Sequence, residues 1–219
     1  MDFILILLEY LIYLHYHKRN HTVSFGVSSY MVQVRKPQIR EALLNSAKRE
    51  FLKHGFQLSS TRRIAIGAGT TTGNMYKYFQ TKNELFEQLV SEVKAQIYSF
   101  IREHEVESGG VPNRLQQLQS FVNLMSDYRD EMLLLIDASN GTKYQNTYED
   151  LIEMISLNLQ EHLPDFNLSI SAADSKILVR TIAVGLVAGW VDILRNHSDK
   201  KEIKNGLYQY FMFVFRSFL

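Results

Sequence analysis

The chain has 219 residues, 46% of them hydrophobic and 21% charged, and it has no cysteine. That length suits one large domain or a small head on a larger body, and the missing thiols exclude disulfides and thiolate metal sites. The net charge of +1 hides a division: residues 31–82 carry ten Lys or Arg against Glu41 and Glu50, whereas residues 83–219 carry 12 against 19 acidic residues. A cationic head on an acidic body is the electrostatic footprint of a protein that meets a polyanion at one end.

Residues Phe3 to Tyr16 are almost all apolar, broken by Glu9 and His15. The run is shorter than the roughly 20 residues of a membrane-spanning helix, and Asp2 with no preceding base does not suit a secretory signal. Lys18 and Arg19 follow it and permit a weak anchor with its C-terminal side in the cytoplasm. The preferred reading is that Met31 is the physiological start and that residues 1–30 are an extension from a mis-set start codon.

Pro37 suits the first turn of a helix, where its missing amide costs nothing. Ile39, Leu43, Ala47 and Phe51 then recur every fourth residue as an apolar stripe, and Gly55 ends the helix. Ser60 is placed to cap a second helix carrying Ile64, Ala65 and Ala68, and Gly69 stops it in a sharp turn. Thr71 caps a third, through Asn74, Met75, Tyr76 and Tyr78 to about Phe79. Two short helices across a glycine turn are the layout of a helix-turn-helix, whose second helix enters the DNA major groove. The predicted core of this head is Leu43, Ala47, Phe51, Phe56, Ile64, Ala65, Met75 and Phe79.

Thr81 and Glu84 form a capping-box pattern for a long fourth helix reaching about Glu105, with Leu85, Leu89, Val93, Ile97 and Ile101 on one face. This helix is the natural mechanical link between head and body. Ser108-Gly109-Gly110 breaks it and Pro112 opens a fifth, buried through Leu115, Leu118, Phe121, Val122 and Met125. A short helix over Asp130–Ile136, a turn at Ser139–Thr142 and a helix over Asn146–His162 follow. Ser171–Arg195 and Lys201–Phe218 are apolar round most of their circumference, which predicts burial on several sides or a subunit interface. Gly185 and Gly189, four apart, allow another helix to approach closely. No strand alternation of useful length occurs, so the fold class is all-α.

The stretch A-G-T-T-T-G-N-M-Y-K-Y-F-Q-T-K-N-E-L-F resembles the DNA-binding signature of the tetracycline-repressor (TetR) family. The resemblance begins at Leu43, runs through Ala47, Phe51, Gly55, Phe56 and Ile64-Ala65, and ends with Gly73, Tyr76, Phe79, Lys82, Glu84 and Leu85. The opening M-V-Q-V-R-K-P-Q-I-R is similar to the basic arm that begins many members. Three positions depart from the pattern. Gly67 replaces a helix former, an expected cost of roughly 1 kcal/mol; Arg63 replaces an acidic residue; Thr70 replaces Val. The resemblance implies an N-terminal three-helix DNA-binding head over residues 31–80 and a helical ligand-binding and dimerisation body over residues 81–219. It further implies a cytoplasmic homodimer, joined by the last two helices, that binds a double-stranded DNA operator as a repressor and is released by a small-molecule effector. A membrane partner is not expected. The alternative is a protein-interaction adaptor, or a coactivator-recruiting activator, on the same fold.

Thr71, Thr72, Asn74, Lys77 and Tyr78 are expected to face outward if Met75 and Phe79 point in. Asn pairs well with adenine edges, and Thr bonds to bases or touches a thymine methyl; the resemblance gives base readout to Thr72 and Asn74. Tyr76, Lys77 and Lys82 are expected to grip phosphate, with Arg62 and Arg63 at the start of the second helix. Lys82 also stands at a helix N-terminus, which favours anions. The implied effector cavity has Tyr98, Gln119, Asn123, Met125, Tyr144, Met154, Asn158, Thr181 and Trp190 as candidate liners. The scarcity of inward cations favours a neutral or cationic apolar ligand, with Asp137 and Asp192 as candidate counter-charges. No Gly-rich phosphate loop, His-Glu-x-x-His or Gly-x-Ser-x-Gly motif occurs, and the seven histidines are scattered. No enzyme, cofactor or metal site is therefore expected.

Overall fold

Pro37 opens α1 (Pro37–Leu58), which keeps helical geometry until Gly55 takes a φ of +70°, a conformation that glycine enters without strain. The computed structural model describes residues 36–102, 111–163 and 171–214. The N-terminal extension, Met31, the Gly109-Gly110 break, Phe215 and Phe218 lie outside the described residues. α2 (Thr61–Gly67) and α3 (Thr72–Met75) complete the head. The body is α4 (Lys82–Arg102), α5 (Val111–Asp127), α6 (Arg129–Asp137), α7 (Thr147–His162), α8 (Ala172–Asn196) and α9 (Lys200–Val214). The described residues form helices and turns and no strand, as the sequence pattern predicts.

All eight predicted core residues of the head are buried. Their core does not close at the head. Phe51 meets Phe56 and Phe86 with ring centroids 5.7 and 5.3 Å away, and Phe86 lies 6.1 Å from Tyr144 in the body. Buried apolar side chains continue without a gap from Leu43 in α1 to Phe211 in α9. α6 is the centre of this continuity. Met132, Leu133, Leu134 and Leu135 are four consecutive residues, all buried. A helix that buries every side is enclosed by neighbours, and α6 packs against α1, α4, α5, α7 and α8.

The long fourth helix is thus not the sole link between head and body. The Phe56 amide donates to the Ala138 carbonyl at the end of α6 at 2.8 Å, and Lys48 of α1 pairs with Glu131 of α6. Arg40 of α1 donates to Gln88 of α4 at 2.6 Å.

Gly67 is explained by packing. A Cβ there would collide with the Ser46 Oγ, which donates to the Ile64 carbonyl at 2.8 Å. The glycine gives up some helix propensity so that α2 can lie against α1 at Ser46. Gly67→Ala is therefore expected to lower stability, by about 1–3 kcal/mol as an overpacked contact, despite alanine's better propensity. Ser46→Ala in the same chain should recover part of the loss. Denaturant midpoints of the single and double variants measure both.

Gly189 has a similar role in the body. A Cβ there would strike the Tyr210 ring, whose hydroxyl donates to the Gly185 carbonyl at 2.8 Å. The helix admitted by Gly189 is thus α9 of the same chain, whereas a Cβ on Gly185 would meet nothing within 4 Å.

Candidate nucleic-acid interface

The end of the head is assembled by local caps. The Ser60 hydroxyl accepts from the Arg63 amide at 3.5 Å, and the Thr71 hydroxyl accepts from the Asn74 amide at 3.1 Å. Between them Gly69 has a φ of +68°, which lets the Thr70 amide turn back to the Ala65 carbonyl at 2.9 Å. Thr81 caps α4 by accepting from the Glu84 amide at 3.0 Å, while the Glu84 carboxylate accepts from the Gln80 amide at 2.6 Å. The reciprocal bond thus falls one residue before the expected capping box.

α3 is only one turn long, and bonded turns carry the chain on to Phe79. Met75 and Phe79 are buried, so this segment has one fixed face inward. Thr71, Tyr76 and Lys77 are exposed, and Thr72 and Asn74 are half-buried. The Asn74 side-chain amide donates to the Thr70 hydroxyl at 2.8 Å, which fixes its orientation. Arg62 is exposed on α2. These residues stand on one small, braced, basic unit.

Three expected contacts are placed differently. Tyr78 is half-buried, and its hydroxyl accepts from the Lys36 amide at 3.1 Å, so it ties the start of α1 to the end of the recognition segment. Arg63 is held by Glu50: its Nε donates to that carboxylate at 2.7 Å, and another guanidinium nitrogen donates to the Leu58 carbonyl at 2.9 Å. Lys82 is turned into the protein. Its ammonium donates to the Phe56 carbonyl at 2.7 Å and the Ser59 carbonyl at 3.2 Å, and stands 4.3 Å from the Phe56 ring centroid. Burial pushes the Lys82 pKa down, while Glu50 pulls it back up. Lys82 thereby adds a charged donor to carbonyls where α1 ends, the Phe56 carbonyl also accepting from the Ser59 hydroxyl at 2.6 Å. Arg63 and Lys82 are braces of the head in this structure.

Glu50 is the residue that sequence reasoning missed. It also accepts from the Ser60 amide at 2.9 Å, and its side chain is only 10% exposed. Burial raises its carboxyl pKa, but the Arg63 bonds and the Ser60 amide outweigh this and hold it below the usual 4.5. The available signal was one of only two acids in a segment with ten bases, beside buried Phe51. A depressed carboxyl stabilises the folded state above its unfolded pKa and ceases to do so as pH falls through the lower folded value. Glu50→Gln is therefore expected to cost about 1–2 kcal/mol near neutral pH. The gap between variant and parent should narrow as melting is followed to acid pH, through the lowered carboxyl pKa of the folded state.

The nine candidate effector liners are placed in different surroundings among the described residues. Met125, Tyr144 and Trp190 are core residues; Gln119 and Thr181 are exposed, and Asn123 is half-buried. Tyr98, Met154 and Asn158 do come together, with Ile101 and Leu157, along a groove of about 450 Å³ between α4 and α7. Asp150, Glu153 and Glu161 also line it. Asp137 is occupied by Arg195, with nitrogens 3.0 and 2.5 Å from its oxygens. Asp192 accepts from the Asn196 amide at 2.8 Å. Neither lines the groove. Among the described residues there is no cluster of three or more potential metal ligands.

Residues 43–89 match the model of bacterial regulatory proteins of the tetR family. The match takes in most of the head's first helix, both helices of the turn and the start of α4. Over 70 residues this chain is 31% identical to the nucleoid occlusion factor SlmA of Haemophilus ducreyi, covering 32% of this chain and 33% of that protein. The same factor from Glaesserella parasuis serovar 5 is 30% identical over 70 residues, with the same coverage. The chain thus spans about a third of the length of the curated relatives it matches. Two solved structures share the fold. A transcriptional regulator of the TerR/AcrR family from Aquifex aeolicus VF5 aligns at a TM-score of 0.53 and 18% identity, over 81% of this chain and 99% of that one. A TetR-like transcriptional regulator from Rhodococcus sp. RHA1 aligns at 0.53 and 17%, over 85% and 98%. The matched segment is that of regulatory proteins, in line with the expectation that the chain is not an enzyme.

Proposed function

We propose that this chain is a tetR-family regulator of transcription, cytoplasmic, dimeric and ligand-responsive, that represses by occupying a near-palindromic DNA operator. The observation that carries the reading is the recognition segment. Thr71, Tyr76 and Lys77 are exposed beside Thr72 and Asn74, while Met75 and Phe79 anchor the segment from behind. Thr72 and Asn74 would read bases, and Tyr76, Lys77 and Arg62 would hold phosphates. Residues 31–80 serve as the DNA-binding unit and residues 81–219 as the ligand-binding and dimerisation unit.

Two heads must reach successive major-groove faces, about 34–36 Å apart. The surface that would join them lies on the last two described helices. Ile177 and Val184 of α8 are 68% and 38% exposed, and Phe213 of α9 is 80% exposed. A second copy would cover these apolar side chains as a four-helix contact. Release requires an effector that prefers the non-binding arrangement, since equal affinity for both states shifts nothing. α4 and the α1–α6 contact at Phe56 and Ala138 are the two routes by which the body would move the head.

Selection of bound duplexes from a random pool, with the chain's mass in solution measured alongside, tests this reading. The expected outcome is a dimer that enriches one near-palindromic motif with half-sites about one helical turn apart. A pool that stays random after repeated rounds contradicts it.

A further inference from the structure

The groove between α4 and α7 borders a position that already holds a cation. Lys94 of α4 places its ammonium 4.7 Å from the Tyr98 ring centroid and 5.1 Å from that of Tyr144. The same nitrogen is 3.9 Å from the Asp150 carboxylate, and the Lys94 side chain is 20% exposed. Burial pushes the Lys94 pKa down and Asp150 pulls it up, so the charge is held there against a desolvation cost. The Tyr98 hydroxyl donates to Asp150 at 3.1 Å, which fixes ring and carboxylate as one unit.

Tyr98 and Asp150 also face the groove. Beyond them the wall becomes apolar at Ile101, Met154 and Leu157, and Leu157 is 58% exposed. Glu153 and Glu161 add two more carboxylates. Arg180 of α8 acts on Glu153 but is bonded to Glu149 at 2.5 Å. The groove's size, about 450 Å³, is that of a small-molecule site. A unit that holds an alkylammonium between ring faces and a carboxylate has the chemistry to hold another beside it.

We propose that this groove binds an apolar organic cation: an amine or quaternary ammonium on an alkyl or aryl body. The headgroup lies against Tyr98, Asp150 and Glu153, and the body along Ile101, Met154 and Leu157. An anionic amphiphile of the same shape meets three carboxylates and is rejected. The inference rests on the effector-responsive reading only for its consequence: the groove is built on α4, the helix that starts at the head, so a ligand there would bear on the head's placement.

Calorimetric titration of the full chain with decyltrimethylammonium, decanoate and decanol, each below its micelle concentration, tests the ligand class without DNA. The expected result is binding of the cation at one site per chain, at least about tenfold tighter than decanoate. Asp150→Asn with Glu153→Gln should weaken the cation about three- to tenfold and improve decanoate. Lys94→Met, which removes the resident cation, should tighten the added one. The proposal is overturned by decanoate binding as well as the cation, by no heat from the cation, or by carboxylate variants of intact circular dichroism that bind it unchanged. The same samples titrated with the selected duplex separate the two readings. Absent cation binding with intact DNA binding removes the groove assignment alone, and cation binding without DNA binding removes the regulator reading alone.

Discussion

Phe86→Ala is expected to lower the unfolding free energy by about 3–5 kcal/mol, the range for truncating a buried aromatic. Phe86 is 1% exposed and stands between Phe51 and Phe56 of the head and Tyr144 of the body. Its removal opens a cavity where the two parts share a core, and that cavity has walls on both. The head should therefore not melt as a separate unit in the parent chain, and the variant should lose that coupling. Denaturant unfolding followed by circular dichroism checks the magnitude. Hydrogen exchange of amides in α1 and α6 checks the coupling: both should open at the same free energy in the parent, and α1 should open earlier in the variant.

Arg62→Ala combined with Lys77→Ala is the second large effect. Each phosphate deprived of its cationic partner should take about 0.9 off the slope of log affinity against log salt. If both side chains touch phosphate, the double variant's slope is shallower by about 1.8 and affinity at low salt falls on all duplexes alike. Asn74→Ala should instead change which sequence is preferred, at about 1–3 kcal/mol, with the salt slope kept. Arg63→Ala and Lys82→Ala should behave differently again. In both, thermal stability falls first, because Glu50 loses its guanidinium partner or the Phe56 and Ser59 carbonyls lose their ammonium donor. Anisotropy titrations over a salt series distinguish the three behaviours.

The head was legible because its determinants are local. Ser60 and Thr71 cap within three residues, Gly55 and Gly69 break helices at their own positions, and a four-residue stripe placed Leu43, Ala47 and Phe51 inward. The polar braces were illegible because they link distant residues. Glu50 meets Arg63 across a turn 13 residues later, and Lys82 reaches back 26 residues to the Phe56 carbonyl. A basic residue near a DNA-facing segment looks the same in sequence whether its charge is spent inside or offered outside. Gly67 misled for a related reason: propensity registers the missing side chain, but only the approach of Ser46 explains it.

The candidate effector site was harder to read. Its residues come from two helices about 50 positions apart, as with Tyr98 and Asp150. Helical spacing says which residues face inward, yet Met125 and Trp190 face inward as core while Met154 borders a groove. Lys94 was missed because a lysine on a helix is normally a solvated charge, and only the flanking Tyr98 and Tyr144 rings make it otherwise.

The central claim, that this basic head docks on duplex DNA, is tested most directly by titrating a labelled duplex carrying the selected motif with the unmodified chain. Binding should saturate at two chains per duplex and weaken steeply as salt is raised. No saturable binding at low salt, or an affinity indifferent to salt, would contradict it.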